Sequence, residues 1–214
     1  GSCCAYVLVD ERTFGNDLFP PATPDNSTVM GAAEVAGDVT TKDISTFMFP
    51  NTYLYQNGDP NQCCVLGYHS FDVEAGDAKN NNETRFYVMN YSSWITPGLF
   101  GAGFEDVTAQ SHEMAEIFND PFVAFDGLHN VTPFWQNAAG QCQDVMEVGD
   151  VIEDLPNSTY PVTIGGYTYH PQTIGLLPWF AFQKNSGAIN NAYSYPDETV
   201  LTSLSAPQPL NCGQ

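Results

Sequence analysis

The pattern of hydrophobic and polar residues predicts a strand-rich first half. Four segments of β-branched and aromatic residues, in part alternating with polar ones, are typical of strands. These segments are 4–10, 44–56 with a break at Pro50, 63–73 and 85–94. Between them, the proline-rich stretch 16–28 and the polar stretch 77–83 indicate surface loops. The first half is therefore predicted to be mainly β.

The periodicity changes after residue 104. Over 104–118, apolar residues recur at helical spacing and predict a helix with one apolar stripe. The stripe consists of Val107, Met114 and Phe118. His112 and Glu116 are one turn apart, on the face roughly opposite the stripe, as in a helix that lines a cleft. Pro121 sets the end, because the residue before a proline avoids the helical region.

The remainder of the chain completes an α+β pattern. A hairpin is predicted over 163–169, and the apolar run 174–182 is interpreted as core. The sequence has no internal repeat and no clear linker. With 214 residues, of which 43% are hydrophobic, it can bury one substantial core. We therefore predict a single domain over 1–214.

Charge restricts the partners. The chain has 25 acidic and 5 basic residues, which gives a net charge of −20. Such a surface repels phosphate backbones and anionic lipid, so neither nucleic acid nor a membrane is a predicted partner. No apolar run approaches the roughly 18 residues that a membrane helix needs. We expect a monomer.

Cysteines and glycosylation sequons together favour a secreted glycoprotein. Five sequons begin at Asn26, Asn82, Asn90, Asn130 and Asn157. The six cysteines are at positions 3, 4, 63, 64, 142 and 212, and none has the spacing of a zinc-binding Cys-x-x-Cys pair. We expect structural disulfides. The two vicinal pairs would staple two neighbouring strands, and Cys142 would pair with Cys212.

Candidate chemistry is concentrated in the segment His112-Glu113-Met114-Ala115-Glu116. It reads His-Glu-x-x-Glu, close to the His-Glu-x-x-His motif of metallopeptidases. On a helix, His112 and Glu116 could bind one ion, and Glu113 could take a proton from metal-bound water.

A catalytic zinc site needs a third protein ligand as well as an open position. Asp120 is possible, but it lies beyond the helix end and is better explained as a helix-terminating residue. Three other residues are candidates for the third ligand. Glu147 or Asp150 could supply a carboxylate, and His129 could supply an imidazole. His129 directly precedes the sequon asparagine Asn130, where a glycan would need open solvent. The sequence leaves the third ligand open.

The same residues resemble a known pattern. Residues 111–121, the nearby Trp135 and the segment Glu147-Val-Gly-Asp150 resemble secreted bacterial and fungal proteins with Ser-His-Glu-x-x-Glu-x-x-x-Asp-Pro followed by Glu-Ile-Gly-Asp-x-Cys. Some phosphate-induced plant proteins, of the EXORDIUM-like type, are similar over this stretch. The resemblance implies a zincin-like metalloprotein, and the residues that match its motif are His112, Glu113, Glu116, Asp120, Pro121, Glu147 and Asp150. Val151-Ile-Glu replaces the cysteine of the pattern, so no disulfide is carried over.

Two functional hypotheses follow. The first is a secreted zinc metallohydrolase, best interpreted as a peptidase that uses metal-activated water on a peptide or protein substrate. One imidazole with two carboxylates is a harder ligand set than usual for zinc and would also admit Mn²⁺ or Ca²⁺. The second is a non-catalytic, extracellular metal-binding protein of the cell wall or of host interaction. In that case Trp135, Trp179 or Tyr167 would contact cell-wall glycan.

Overall fold

The chain contains both helices and strands and is α+β. The computed structural model describes residues 5–19, 26–76, 78, 81–101, 103–123, 135–136, 142–153, 155–184 and 186–204. Its internal contacts divide it into two compact units, Gly1–Ser93 and Trp94–Gln214. The single domain over 1–214 stays a prediction. Among the described helices, none has the length and apolar character needed to cross a membrane.

The first unit is built on two three-stranded sheets. Its strands are β1 (Val7–Asp10), β2 (Ile44–Pro50), β3 (Thr52–Tyr55), β4 (Cys63–Val65), β5 (Gly67–Glu74) and β6 (Arg85–Trp94). One sheet has the order β1-β3-β4, with β1 parallel to β3, and the other has the order β2-β6-β5. All four predicted strand segments are confirmed. Two of them are each divided into two strands, and the first break is at Asn51, which has a positive φ of 45°.

Two helices of the first unit were not predicted. They are α1 (Glu11–Leu18) and α2 (Val29–Ala36). The loop predicted over 16–28 is therefore wrong at its start. Both helices are short, with eight residues each, and a side chain caps the start of each one. The Asp10 carboxylate accepts the Thr13 N–H at 2.9 Å, and the Thr28 hydroxyl accepts the Gly31 N–H at 3.2 Å.

Side chains from one face of β6 form part of the core of the first unit. Successive side chains of a strand point to opposite faces, and Tyr87, Met89 and Tyr91 share one face. They pack with residues of both missed helices and of β3. The fully buried members of this core are Leu18, Met30, Leu54, Tyr87, Met89 and Tyr91.

Burial corrects one of the predicted glycosylation sites. Asn90 lies within β6 and is 0% exposed, so the folded strand has no room for a glycan on its amide. The sequon is present there, but the prediction is wrong. Asn26, Asn82 and Asn157 are exposed, as a glycan requires. Asn130 lies outside the described residues.

The predicted disulfide arrangement is also corrected. Cys63 and Cys64 are bonded to each other, so this vicinal pair does not staple two strands together. Cys142 is disulfide-bonded as well. Cys3, Cys4 and Cys212 lie outside the described residues. The sequence cannot distinguish such pairings, because six cysteines permit about 15 of them.

The second unit combines short helices with three two-stranded pairings. Its elements are α3 (Thr108–Ile117), β7 (Trp135–Gln136), β8 (Cys142–Gln143), α4 (Asp150–Glu153), β9 (Val162–Ile164), β10 (Tyr167–Tyr169), β11 (Ile174–Gly175), α5 (Leu177–Phe180), a 3-10 helix (Gly187–Ile189) and β12 (Ser194–Tyr195). Strand β7 pairs with β8, β9 with β10 and β11 with β12, all antiparallel. The hairpin predicted over 163–169 is confirmed.

Aromatic residues dominate the core of the second unit. Trp135 and Trp179 are 0% and 1% exposed, and their rings meet edge to face with centroids 6.1 Å apart. Phe180 completes the aromatic cluster, so the run 174–182 is core in part, whereas its residues Leu177 and Phe182 are exposed. Because both tryptophans are buried, the prediction that either contacts glycan is wrong. Tyr167 is 71% exposed and stays available for such a contact.

A cluster of carboxyl groups lies between α2 and β5 in the first unit. Glu34, Asp72 and Glu74 each place an oxygen within 4.8 Å of the others. Burial, together with the nearby charges of Asp72 and Glu74, raises the pKa of Glu34 to about 7, although the guanidinium of Arg85 acts in the opposite direction. Burial raises the pKa of Asp72 as well. The cluster is therefore most stable when it holds a proton.

This cluster predicts a pH dependence of folding. The folded-state pKa of Glu34 is above its ordinary 4.5, so the protonated side chain contributes to the free energy of unfolding. This contribution is complete below about pH 4.5 and is lost as the pH rises through about 7. In Glu34→Gln the free energy of unfolding should not show this decrease with pH, which is on the order of 1 kcal/mol after solvent screening. Urea unfolding of both proteins between pH 4 and pH 8 measures it. Asp38→Asn, an exposed change of equal charge, should keep the wild-type pH dependence; equal curves for wild type and Glu34→Gln would contradict the prediction.

Candidate metal centre

Helix α3 carries the His-Glu-x-x-Glu motif and is fixed at both ends. At its start the Thr108 hydroxyl donates to the Glu105 carbonyl at 2.6 Å. At its end the Asn119 N–H donates to the Glu116 carbonyl at 2.8 Å, and Asp120 follows, directly before Pro121. The predicted helix is confirmed, and it ends where the proline indicated.

The buried face of α3 is its polar face. His112, Glu113 and Glu116 are 8%, 5% and 2% exposed, whereas Phe118 is 75% exposed. The apolar stripe inferred from the sequence is therefore not the side on which the helix packs. Its buried apolar residues are Ala109 and Ile117, on either side of the motif. Interactions of the motif residues themselves thus contribute to holding the helix in place.

Two carboxylates converge on one nitrogen of His112. The imidazole Nε2 lies 3.1 Å from Oε1 of Glu116 and 3.2 Å from Oδ1 of Asp150. Asp150 begins the short helix α4, and Glu153 on the same helix places an oxygen within 4.8 Å of the ligand atoms of His112 and Asp150. The structure thus brings together His112, Glu116 and Asp150 from the predicted ligand set, and it adds Glu153.

The other two candidates for the third ligand do not join this group. Glu147 belongs to no set of three His, Cys or carboxylate ligands within 4.8 Å of one another among the residues that the structure describes. His129 lies outside the described residues.

Glu113 lies close to the same centre. Oxygens of Glu113 and Glu116 approach within 4.8 Å of each other. Glu113 also acts electrostatically on the imidazole. Burial of His112 alone would lower its pKa, but the charges of Glu116 and Glu113 and the hydrogen bonds that the imidazole donates to Asp150 and Glu116 outweigh burial, so the pKa is raised well above 6.5. Without a bound cation, His112 is therefore an imidazolium among carboxylates.

Gly149 brings the segment before α4 against the imidazole. A Cβ at this position would lie 2.6 to 2.7 Å from three ring atoms of His112, closer than carbon atoms pack. The Gly149 N–H donates to Oε1 of Glu116 at 2.9 Å. The glycine in Glu-Val-Gly-Asp thus permits the close approach that places Asp150 beside His112.

The second ring nitrogen of His112 faces Gln172. Nδ1 of His112 lies 3.1 Å from Oε1 of Gln172, and Nε2 of Gln172 donates to the Gly149 carbonyl at 2.7 Å. Oε1 of Glu116 contacts both Nε2 of His112 and the N–H of Gly149. The contacts therefore close into a ring, His112–Gln172–Gly149–Glu116, that we call the motif ring. Every side chain in it is buried.

Sequence reasoning missed Gln172 and Glu153. Glu153 lies three residues after Asp150, and helical spacing from that residue would have indicated it. Gln172 is 60 residues from His112 and has no local pattern that marks it.

The donor set fits a divalent cation. Two ligand atoms of a tetrahedral zinc ion are about 3.3 to 3.5 Å apart, given zinc–nitrogen and zinc–oxygen bonds of about 2.0 to 2.2 Å. The contacts of Nε2 with Glu116 and Asp150, at 3.1 and 3.2 Å, are close to that separation. A cation bound there would replace the imidazolium proton between the same atoms. The carboxylate-rich set suits zinc and harder ions alike.

The close approach of Gly149 yields a sharp test. Gly149→Ala should destabilise the fold by about 1–3 kcal/mol, because the new methyl group overlaps an imidazole held on both sides. It should also weaken zinc binding. The matched control is Gly187→Ala, since a Cβ there meets nothing within 4 Å. Urea unfolding measures stability, and a competing chelator measures zinc affinity. Wild-type values for Gly149→Ala in both measurements would contradict the geometry.

Comparison with models of protein families, with curated proteins and with solved structures found no match for this chain. The resemblance to zincin-like and EXORDIUM-like proteins thus stays a prediction from the motif. The function must be argued from the geometry of the site.

Proposed function

We propose that this protein is a zinc-dependent hydrolase, most specifically a peptidase, whose centre is His112, Glu116 and Asp150. The single observation that carries the proposal is the convergence of the Glu116 and Asp150 carboxylates on Nε2 of His112. It supports a cation site because carboxylates from two separate helices approach the same imidazole nitrogen at distances close to those between neighbouring ligands of a small divalent ion.

Burial supports a metal in preference to a salt bridge with structural function alone. His112 and Glu116 are almost fully buried, and Glu113 beside them adds a further buried carboxyl group. Taking several acidic groups out of water costs free energy that one imidazolium offsets only in part. A dication offsets more of their mutual repulsion, so binding of the metal and folding of the second unit reinforce each other.

Bound zinc supplies a Lewis acid that polarises a carbonyl and makes water nucleophilic at neutral pH. The chain's own groups divide the remaining work. His112, Glu116 and Asp150 hold the ion, and Glu113 serves as general base, accepting the proton of the attacking water. Its carboxylate is close enough to that of Glu116 to reach the same small volume. Asp150 is partly exposed, with 29% of its side chain accessible, so the centre has a side open to substrate.

The cellular context is part of the same proposal. Exposed sequon asparagines at 26, 82 and 157 and the disulfide-bonded cysteines suit a secreted glycoprotein. A net charge of −20 favours cations over nucleic acid or anionic lipid. The alternative, a non-catalytic extracellular metal-binding protein, differs only in the reaction, and peptide-library cleavage with and without chelator distinguishes the two.

The ligand set predicts how metal content responds to substitution. Asp150→Asn should weaken zinc binding by more than the roughly 10–100-fold that loss of an outer partner costs, since it removes a charged ligand. Glu147→Gln is the matched control from the same segment and should bind zinc as the wild type does. Elemental analysis of untreated protein, followed by chelator competition, measures both. Wild-type protein without any stoichiometric metal would refute the proposed function.

The assignment of the base predicts a separate loss. Glu113→Gln should lower kcat by about 10²–10⁴-fold while zinc stays bound, because the amide cannot accept the proton of water. Glu198→Gln, a carboxyl change far along the chain, serves as control for the loss of one charge. The measurement is cleavage of a fluorogenic peptide library by protein of verified zinc content. Undiminished hydrolysis by Glu113→Gln would exclude Glu113 as the base.

A further inference from the structure

Gln172 stands outside every sequence motif, yet it touches the centre of the site. It is 4% exposed, and both ends of its amide are used, one on the imidazole of His112 and one on the Gly149 carbonyl. An amide has a fixed polarity: its nitrogen only donates and its oxygen only accepts. Because the Gly149 carbonyl can only accept, Nε2 of Gln172 must point to it. The oxygen is therefore left facing His112.

This orientation determines where His112 carries a proton. An acceptor at 3.1 Å requires a donor, so Nδ1 of the imidazole must bear hydrogen. In the singly protonated ring, Nε2 then presents its lone pair to the space between Glu116 and Asp150. A ring in the other tautomer would offer Nδ1 to a facing oxygen that has no hydrogen to donate.

The backbone of Gln172 is fixed as firmly as its side chain. Its N–H donates to the hydroxyl of Ser111 at 2.8 Å, and that hydroxyl donates to the Thr108 carbonyl at 2.9 Å. Ser111 directly precedes His112 on α3. Thr159 forms an isolated bridge with Gln172 on its other side. Gln172 is therefore held to the same helix turn that carries the ligand it contacts.

We infer that Gln172 is a positioning residue for the metal centre, which fixes the ring orientation of His112 and keeps its proton on Nδ1 so that Nε2 is the ligand atom. The inference rests on the proposed function, because it concerns binding of zinc at that centre. It also gives the serine and the glycine of the motif a shared purpose. The Ser111 hydroxyl accepts the backbone N–H of Gln172. The Gly149 carbonyl accepts the side-chain amide of Gln172, and the absence of a side chain at Gly149 leaves space for the imidazole.

Replacement of Gln172 tests the role directly. Gln172→Met keeps the size and removes both amide bonds, and it should weaken zinc binding by about 10–100-fold. Gln172→Glu keeps an acceptor for Nδ1, so it should retain more affinity than Gln172→Met although it loses the bond to Gly149. The matched control is Thr173→Val, because Thr173 is equally buried on the same segment and its hydroxyl bonds no other group. It should bind zinc as the wild type does.

A spectroscopic measurement of the His112 tautomer complements these binding measurements. The chain has four histidines, so ¹⁵N-labelled imidazoles can be assigned with His112→Gln. In the zinc-loaded protein, long-range ¹⁵N–¹H correlation should show His112 with hydrogen on Nδ1 and slow exchange of that proton. In Gln172→Met the exchange should become fast. If Gln172 had only a structural role, Gln172→Met would change neither the tautomer of His112 nor the exchange rate of its proton.

The outcomes separate the two proposals. Wild-type protein that binds no zinc would refute both the proposed function and the role of Gln172. Zinc binding by the wild type, with equal affinity in Gln172→Met or with hydrogen on Nε2 of His112, would overturn the role of Gln172 and leave the metal centre standing. Weaker binding in Gln172→Met, partial recovery in Gln172→Glu and a slowly exchanging Nδ1 proton would support it.

Discussion

The second unit depends on the contact between one imidazole and one peptide group. His112 lies against Gly149 so closely that any side chain at that position would overlap the ring. This contact determines the position of Asp150, which comes next in the chain. It also determines the position of Gln172, which forms hydrogen bonds with both His112 and Gly149. The helix, the segment before α4 and the strand-like stretch at 172 thus meet at one point. The proposed metal centre would account for this convergence of acidic groups on a histidine.

Electrostatics makes this arrangement a compromise. The carboxylates around His112 raise its pKa and favour the imidazolium, which occupies the position that a metal would take. In the proposed metal centre, proton and metal would therefore compete for Nε2, and the affinity for the metal would be the difference between two strong interactions. The cluster of Glu34, Asp72 and Glu74 in the first unit is a different case. There a retained proton reduces the repulsion between the acidic groups, in agreement with the raised pKa of Glu34.

The sequence predicts the features that are local in the chain. The motif indicated α3, and alternation indicated β6 almost to the residue, because each signal is contained in one segment. Helices α1 and α2 were missed, since caps at Asp10 and Thr28, and not periodicity, mark their starts. Gln172 was beyond reach, because nothing near it in the chain refers to His112. The orientation of α3 was inferred from hydrophobicity alone. That inference failed because the polar contacts of the motif residues determine which face is buried, and Phe118 is left exposed.

The inward polarity of α3 has a consequence for how related sequences should be interpreted. A helix that packs through His112, Glu113 and Glu116 uses for anchorage the same residues to which the proposed function assigns the chemistry. Selection for a folded protein alone would then preserve the motif, even in a lineage that had abandoned the reaction. Persistence of His-Glu-x-x-Glu among descendants would therefore report on architecture. Divergence at Asp150, which is more exposed and contributes less to packing, would be the earlier sign that catalysis had been lost.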